Sequence, residues 1–236
     1  FIIPKIGLDW VINEKNKIIT TYSYSTTNAG VLDVYSSFVQ TGFRSFSKGL
    51  QEFNQLNSSS AILNYTYGNW GDKFFANTYI IYSKNHEYIS TNSIVSQNYS
   101  QSENIIIKDK NFLLFSSNID KYFKPILTNI KLTIGGTKSN FQNIVNNSDL
   151  RTVINSSFNY GFELRSSFKD FLNFNIGSKW EYNEVNTIFK NSYNENNSFI
   201  DLYFILNKKI NFQLETERYY NSNLDKKNNK YYFMDL

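Results

Sequence analysis

The sequence predicts an all-β protein, an antiparallel up-and-down meander of about 11 long strands that forms part of a larger transmembrane β-barrel. Three observations lead to this fold class. Apolar and polar residues alternate in segments along the whole chain, and the connections between segments are alternately short and long. The segments also run to about ten residues, which is long for a globular sheet but suits a tilted strand crossing a bilayer.

The clearest pair of segments is Ile154–Arg165 and Leu172–Tyr182, which flank the short connection Ser166–Asp170. Every second residue in them is apolar and often aromatic, whereas the residues between are mostly amides, glycines and charged side chains. A period of two places these two sets on opposite faces of a strand. We therefore expect one face to lie toward lipid and the other toward a polar barrel interior.

The same alternation predicts nine further strands: Lys5–Ile12, Lys17–Thr26, Ala61–Tyr67, Phe74–Lys84, Phe112–Asp120, Thr128–Gly136, Ser198–Leu206, Ile210–Tyr220 and a last strand from Lys230. Pro125 falls between two of these strands, where it removes no ladder hydrogen bond.

The connections sort by length in strict alternation. Besides Ser166–Asp170, the short ones are Asn13–Asn16, Gly68–Lys73, Lys121–Leu127 and Asn207–Lys209. The long polar ones are Thr27–Ser60, Asn85–Asn111, Thr137–Asp149, Asn183–Asn197 and Asn221–Asn229. Short periplasmic turns and long external loops are typical of outer-membrane barrels. This pattern favours a barrel over a secreted β-sandwich, and the lack of a fixed repeat disfavours a β-solenoid.

An odd number of strands predicts that the barrel is incomplete, because an open sheet in lipid leaves backbone groups unsatisfied at its edges. We expect Lys5–Ile12 and the strand from Lys230 not to pair with each other. The chain opens without Met or a signal peptide and stops within an alternating run. We therefore interpret residues 1–236 as one partial barrel domain cut from a longer protein.

The composition fits this interpretation. The mean hydropathy of −0.44 and the lack of a run of about 18 apolar residues argue against transmembrane helices. The absence of Cys excludes disulfides and thiolate metal sites. The net charge of +4 comes from scattered Lys and Arg, without the basic stripe that nucleic-acid binding requires. We expect no nucleic-acid partner and no cofactor.

The candidate binding residues are polar side chains on the inner faces of the predicted strands. The lumen-facing candidates are Asn129, Lys131, Asn155, Asn159, Glu163, Asn173, Asn175, Lys179, Glu181, Glu215 and Glu217. Paired carboxylates such as Glu215 and Glu217 are also suited to acid–base chemistry, but charges that line a barrel lumen are the commoner explanation.

Aromatic residues near the strand ends form the second candidate set: Trp10, Tyr65, Tyr67, Trp70, Trp180 and Tyr182. Their amphipathic rings suit the membrane interfaces, and we interpret them as interface aromatics. For the loop residues Tyr88, Tyr99 and Tyr193, stacking on a sugar or an aromatic siderophore is an equal alternative.

No catalytic or metal site is predicted. His86 is the only histidine, and Glu87 beside it is too little for a zinc site, which needs three or four ligands. A single histidine at a strand end also makes a Ser–His–Asp triad implausible. We expect a protein that is not an enzyme.

The segment from Gly49 to Ser58, running into Ala61–Tyr67, resembles a pattern of TonB-dependent receptor barrels, especially the Bacteroidota outer-membrane β-barrel family. That pattern reads G-N-P-x-L-x-P-E-x-S, followed by a strand that ends in G-Y-x-Y. Gly49, Phe53, Ser58, Leu63, Tyr65 and Tyr67 match it in kind, while Gln51 and Gln55 replace its prolines and Leu56 its glutamate. The stretches Asn207–Phe212 and Tyr231–Leu236 are similar to late strands of the same family.

The resemblance implies a receptor in the outer membrane of a Gram-negative bacterium. Such a receptor takes up a small ligand (a siderophore, vitamin, saccharide or peptide) through a 22-stranded barrel. Its partners would be outer-membrane lipid, the ligand, and the TonB complex through a plug domain that is missing from this chain. The alternative is a passive porin, or a membrane-anchoring barrel with an external adhesion or binding role. A β-barrel lipase or protease is disfavoured because no catalytic constellation is visible.

Overall fold

The computed structural model describes residues 3–69, 71, 73–166, 171–207 and 210–236. These residues form an all-β structure with short 3-10 turns and no α-helix. Its thirteen strands are β1 (Lys5–Asn13), β2 (Asn16–Asn28), β3 (Val39–Gly42), β4 (Ser45–Lys48), β5 (Gln55–Asn69), β6 (Phe74–Val95), β7 (Ser100–Phe123), β8 (Thr128–Val145), β9 (Arg151–Ser166), β10 (Leu172–Asn186), β11 (Lys190–Asn207), β12 (Ile210–Asn221) and β13 (Lys230–Asp235). No helix in this part of the chain is long and apolar enough to cross a membrane.

Eleven strands follow one another in an antiparallel up-and-down sheet, in the order β1-β2-β5-β6-β7-β8-β9-β10-β11-β12-β13. These are the eleven strands that the alternation predicts, so the predicted fold class is confirmed at the level of the sheet. The two additional strands, β3 and β4, form a small hairpin in the connection between β2 and β5. The connection Lys121–Leu127 contains a 3-10 turn that includes Pro125, outside the ladder as expected.

The sheet is open. The strand β1 pairs with β2 and β13 pairs with β12, and these two edge strands do not pair with each other. This confirms the expectation that Lys5–Ile12 and the strand from Lys230 are not neighbours. The sheet by itself is therefore not a closed barrel.

The strands are much longer than predicted at one end of the sheet. The predicted loop Asn85–Asn111 is mostly strand, because β6 and β7 pair from Phe74↔Lys121 to Val95↔Ser100. Strand also fills most of Thr137–Asp149 and Asn183–Asn197, and β5 begins inside Thr27–Ser60. The prediction of long loops there is wrong. The apolar residues of these extensions are few or occur in runs such as Ile105–Ile107, so apolar alternation does not reveal the strands.

The extensions form an outer layer. We define it as β3, β4 and the strand ends beyond the pairing of β7 with β8, which are residues 85–95 of β6, 100–110 of β7, 141–145 of β8 and 151–153 of β9. On one side, β4 pairs in parallel with β7 through Ser45↔Ser100. On the other side, the end of β8 pairs in parallel with β6 through Asn92↔Ile144. The buried apolar residues of the described chain lie in this layer or in the connection between β2 and β5: Ala29, Leu50, Tyr88, Ile107 and Val153.

Tyr88 joins β6 to β8 within the outer layer. Its hydroxyl donates to the Gln142 carbonyl oxygen at 2.7 Å and accepts from the Gln142 backbone N–H at 2.6 Å. Burial raises the pKa of the Tyr88 hydroxyl, so it remains a neutral donor at physiological pH.

We predict that Tyr88→Phe destabilises the outer layer by about 1–3 kcal/mol, because both backbone groups of Gln142 then lose a buried partner. Hydrogen exchange of the β6–β7 extension should accelerate, while exchange in β9 and β10 below the extension stays unchanged. Tyr99→Phe is the control, because the Tyr99 side chain is exposed. Equal exchange in the wild-type and Tyr88→Phe proteins would contradict the role assigned to this hydroxyl.

Candidate functional site

The strand register joins residues of nine consecutive strands into one transverse row. From β2 to β12 the row reads Asn16, Tyr67, Ala76, Ile119, Leu132, Phe162, Ser178, Ser198 and Arg218. Residues directly opposite each other in a sheet lie on the same face. The row therefore defines which side chains share a face throughout the sheet.

The row also measures the stagger of the strands. It starts at the first residue of β2 and ends at the ninth residue of β12, so eight residues of stagger accumulate over eight steps between strands. One residue per strand, with a rise of about 3.3 Å and a strand spacing of about 4.8 Å, corresponds to a tilt of roughly 35°. Strands of membrane barrels tilt by about 35–45°.

The face that carries this row is apolar and exposed. Three central residues, Leu132, Phe162 and Ile200, are 44–46% exposed. The predicted apolar residues fall on this face in register across the sheet, including Ile130, Ile134, Ile154, Phe158, Tyr160, Leu172, Phe174 and Ile176. A water-soluble sheet buries such a face, because apolar surface is driven out of water.

The predicted interface aromatics Trp10, Tyr65, Tyr67, Trp180 and Tyr182 all belong to this apolar face. The first three lie near the short turns, where the Tyr65 hydroxyl donates to Asn16 Oδ1 at 2.7 Å. The last two lie toward the outer layer, where Trp180 stacks on Tyr160 with ring centroids 6.5 Å apart. Trp70 lies outside the described residues.

Aromatic residues recur at a fixed spacing on the apolar face. Phe74 and Tyr82 on β6, Phe174 and Tyr182 on β10, and Phe212 and Tyr220 on β12 are each eight residues apart. Eight residues span about 26 Å along a strand, or about 22 Å across a membrane at a tilt of 35°. The apolar band of outer-membrane barrels is about 25 Å tall.

Charged side chains follow directly beyond the aromatic residues that lie toward the outer layer, Tyr82, Trp180, Tyr182 and Tyr220, which we call the outer aromatics. Glu184 accepts a hydrogen bond from the Tyr182 hydroxyl at 2.6 Å and lies 3.0 Å from the Lys190 ammonium. The hydrogen bond from Tyr182 and the neighbouring Lys190 lower the pKa of Glu184, so the carboxylate stays ionised. An exposed ion pair at this level is typical of a region in contact with water.

The opposite face of the sheet is polar. The register places all eleven predicted lumen-facing residues on it, from Asn129 on β8 to Glu217 on β12. Side chains are more crowded here than on the apolar face: Asn173 is 1% exposed, and Gly161 and Gly177 are buried. Crowding on one face and exposure on the other are typical of the concave and convex sides of a curved sheet.

A cavity of about 940 Å³ lies on the polar face toward the outer end of β9–β13. Its central row runs from Lys179 through Asn197 to Tyr219 and Tyr231. The next rows add the carboxylates Glu181, Glu195 and Glu217 and the aromatic Phe233, and Leu224 approaches from the connection between β12 and β13.

The cavity is acidic and preorganised. Three carboxylates face the single ammonium of Lys179 among the described lining residues. Glu195 accepts a hydrogen bond from the Asn221 amide at 2.7 Å, and Glu217 accepts one from the Tyr219 hydroxyl. The Tyr219 ring packs edge-on against Phe233 at 5.7 Å. Such a site offers hydrogen bonds and negative charge to a polar or cationic solute.

The remaining inner-face candidates lie below the cavity, toward the short turns. Glu163 is 4.0 Å from Lys131 and 3.8 Å from Arg165, and the Asn175 amide donates to Asp201 at 3.1 Å. Glu215 accepts hydrogen bonds from Tyr203 and Gln213.

Three buried amide oxygens on this face have no hydrogen-bond partner among the described residues. They are Oδ1 of Asn129, Asn175 and Asn197. Buried polar atoms are normally satisfied, so these oxygens are suited to accept bonds from water or from a polar solute.

Only some of the predicted lumen-facing residues therefore lie together in the cavity. Asn159, Lys179, Glu181 and Glu217 line the cavity, whereas Asn155 lies apart, near the outer end of β9. Sequence reasoning missed Glu195 and Asn197, because both fell in the predicted loop Asn183–Asn197. The only signal for them is the alternation of Phe199, Asp201 and Tyr203 on the polar face, continued backward along β11.

His86 lies on β6 at the base of the outer layer. Its Nε2 is 3.5 Å from Ser59 Oγ, and its ring is 5.9 Å from the Tyr24 ring. Among the described residues, no group of three or more His, Cys, Asp or Glu side chains is arranged to hold a metal ion.

No protein-family model, curated protein or solved structure matches the chain. The resemblance to TonB-dependent receptors therefore stays a prediction. In the fold, the segment that carries it leads from the outer layer into β5.

We predict that Gly177→Ala destabilises the sheet by about 1–3 kcal/mol, because a Cβ at this position would lie 2.6 Å from the Phe199 ring and 2.9 Å from the Phe162 carbonyl oxygen. Gly7→Ala on β1 is the matched control, since its nearest neighbour would lie at 3.7 Å. Urea titration in detergent micelles measures both free energies of unfolding. Equal losses in the two variants would show that the inner face is not crowded at Gly177.

Proposed function

We propose that this chain forms part of the wall of an outer-membrane β-barrel in a Gram-negative bacterium, and that the barrel admits a small polar solute along its inner face. One observation carries the proposal. An apolar face stays exposed and in register across all eleven strands, while the apolar residues that are buried lie in the outer layer or the connection before it. A sheet whose surroundings are lipid has this distribution.

The geometry of the sheet supports the same proposal. The stagger of one residue per strand gives a tilt in the range of membrane barrels. The two sets of aromatics are separated by about the height of an apolar band. Since open edges in lipid would leave backbone groups unsatisfied, we propose that further strands of a longer protein connect β13 back to β1.

The acidic cavity supports passage of neutral or cationic polar solutes. Glu181, Glu195 and Glu217 lie together at the outer end of the inner face, where a solute would enter. Their charge would repel anions and concentrate cations at the entrance. The buried amide oxygens of Asn129, Asn175 and Asn197, in and below the cavity, would offer weak contacts, which suits transit without chemistry on the solute.

The finer form of the proposal is TonB-dependent uptake of a small ligand, which rests on the family resemblance. The alternative is a passive porin or an anchoring barrel with an external binding role. The outer layer favours external binding, because its small core supports a structured surface rather than mobile loops.

Site-directed labelling tests which face meets lipid. Residues 1–236 contain no cysteine, and any cysteine elsewhere in the full-length protein is replaced first. We predict that Leu132→Cys and Phe162→Cys of the full-length protein in vesicles react slowly with a membrane-impermeant maleimide. Their neighbours Thr133→Cys and Glu163→Cys should react at least tenfold faster, because they face the aqueous interior. Comparable rates at both pairs of positions would refute the bilayer-spanning assignment.

Selectivity measurements test the cavity. We predict that Glu181→Gln combined with Glu217→Gln lowers the cation-over-anion permeability ratio of the full-length protein in planar bilayers several-fold, because two of the entrance charges are removed. Glu14→Gln combined with Glu52→Gln is the charge-matched control, since these residues lie outside the sheet. An unchanged permeability ratio in the Glu181→Gln, Glu217→Gln variant would show that the cavity does not lie on the permeation path.

Uptake in cells separates the two forms of the proposal. Uptake that stops when the proton-motive force is collapsed supports the receptor, whereas permeation that continues supports the porin. Hydrolysis of a lipid or peptide by the purified protein would contradict the proposal that the solute passes without chemical change.

A further inference from the structure

A polar cluster interrupts the exposed apolar face on β10, β11 and β12. The Ser178 and Ser198 hydroxyls are 2.9 Å apart, and Asn196 donates to Ser178 Oγ at 2.9 Å. The Asn196 side chain is 2% exposed, and its Oδ1 accepts from the Ser198 hydroxyl at 3.1 Å and from Arg218 Nη1 at 3.1 Å. The network therefore binds one nitrogen of the Arg218 guanidinium, on the face that we assign to lipid.

Arg218 has a cationic neighbour rather than an anionic one. Arg218 pairs with Tyr232 and Tyr220 pairs with Lys230, so Arg218 and Lys230 are diagonal neighbours on the same face. Diagonal neighbours are about 7–8 Å apart, within reach of long side chains. In the described part of the chain, neither residue makes an ion pair. Two adjacent cations without a carboxylate are arranged for an external anion.

The depth of Arg218 indicates which anion this is. Arg218 is the ninth residue of β12, as Trp180 is of β10 and Tyr82 of β6. It therefore lies at the level of the outer aromatics, where the headgroups of a bilayer begin. Its guanidinium bonds to Asn196, which lies opposite Tyr220 and so one row nearer the outer end. The side chain thus leans toward the headgroups, as interfacial cations do.

We propose that Arg218 and Lys230 bind the phosphate of an anionic lipid in the outer leaflet. The Ser178, Asn196 and Ser198 network positions the guanidinium, and Tyr220 and Tyr232 flank the site on the same face. The inference rests on the proposed membrane assignment. The guanidinium keeps further N–H groups for phosphate oxygens after its bond to Asn196.

Brominated lipids test the proposal, because bromine quenches the fluorescence of an adjacent tryptophan. Trp180 lies directly opposite Asn196, whereas Trp10 lies far away on β1. The full-length protein is reconstituted as variants that each keep one of these tryptophans. Quenching of Trp180 should give a relative association constant for brominated phosphatidylglycerol at least fivefold higher than that for brominated phosphatidylcholine. Quenching of Trp10 should give no such preference.

Arg218→Gln combined with Lys230→Gln should abolish the preference at Trp180, and Arg218→Lys should keep most of it. Lys226→Gln combined with Lys227→Gln, in the connection between β12 and β13, removes the same charge away from the site and should change nothing. No preference in the parent protein, or a preference that survives the first pair of substitutions, would overturn the proposal.

Calorimetry with soluble pyrophosphate in detergent separates a lipid from a soluble anion. Pyrophosphate binding without any lipid preference would reassign the site to a soluble anion and overturn the lipid proposal. Failure of the protein to enter vesicles at all would overturn the membrane assignment and this inference with it. Entry without lipid preference would overturn this inference alone.

Discussion

The register of the eleven-strand sheet is the constraint on which the rest of the structure depends. Because side chains alternate with a period of two, a slip of one residue in any pair would move a whole strand's apolar set to the other face. The pairing keeps Leu132, Phe162 and Ile176 on one face, and Lys131, Glu163 and Gly177 on the other. The same hydrogen bonds fix the one-residue stagger, so separation of faces and tilt have one cause.

The molecule has two regions that obey opposite rules of burial. In the outer layer, Tyr88, Ile107 and Val153 are buried, as apolar residues are in a water-soluble protein. In the rest of the sheet, large apolar residues are exposed and the least accessible side chains include Asn173 and Asn196. On the apolar face, the ion pairs Lys84–Asp109 and Glu184–Lys190 lie just beyond the outer aromatics. Under the proposed membrane assignment, the boundary between the regions coincides with the boundary between water and lipid.

The sequence predicted the part of the fold that depends on contrast between the faces. All eleven strands, the shared faces and the unpaired edge strands follow from alternation and from the odd count. The extensions of β6 and β7 could not be predicted, because their apolar residues occur in runs such as Ile105–Ile107 and do not alternate with polar ones. Glu195 and Asn197 were hidden, since Asn194, Asn196 and Ser198 between them are equally polar. Their association in a cavity depends on long-range pairing that local pattern does not encode.

The two faces place charge according to what each one meets. On the inner face, three carboxylates outnumber the single Lys179 in the cavity. At Gly161 and Gly177, neighbouring side chains leave no room for a Cβ. On the apolar face, Arg218 and Lys230 occur at the level of the outer aromatics. The proposed membrane assignment places headgroups rather than hydrocarbon at this level. A charge placed two rows deeper would face hydrocarbon and cost about 2–4 kcal/mol. Under the proposed membrane assignment, the level of Arg218 therefore allows an anionic headgroup to offset the cost of a cation on a lipid-facing surface.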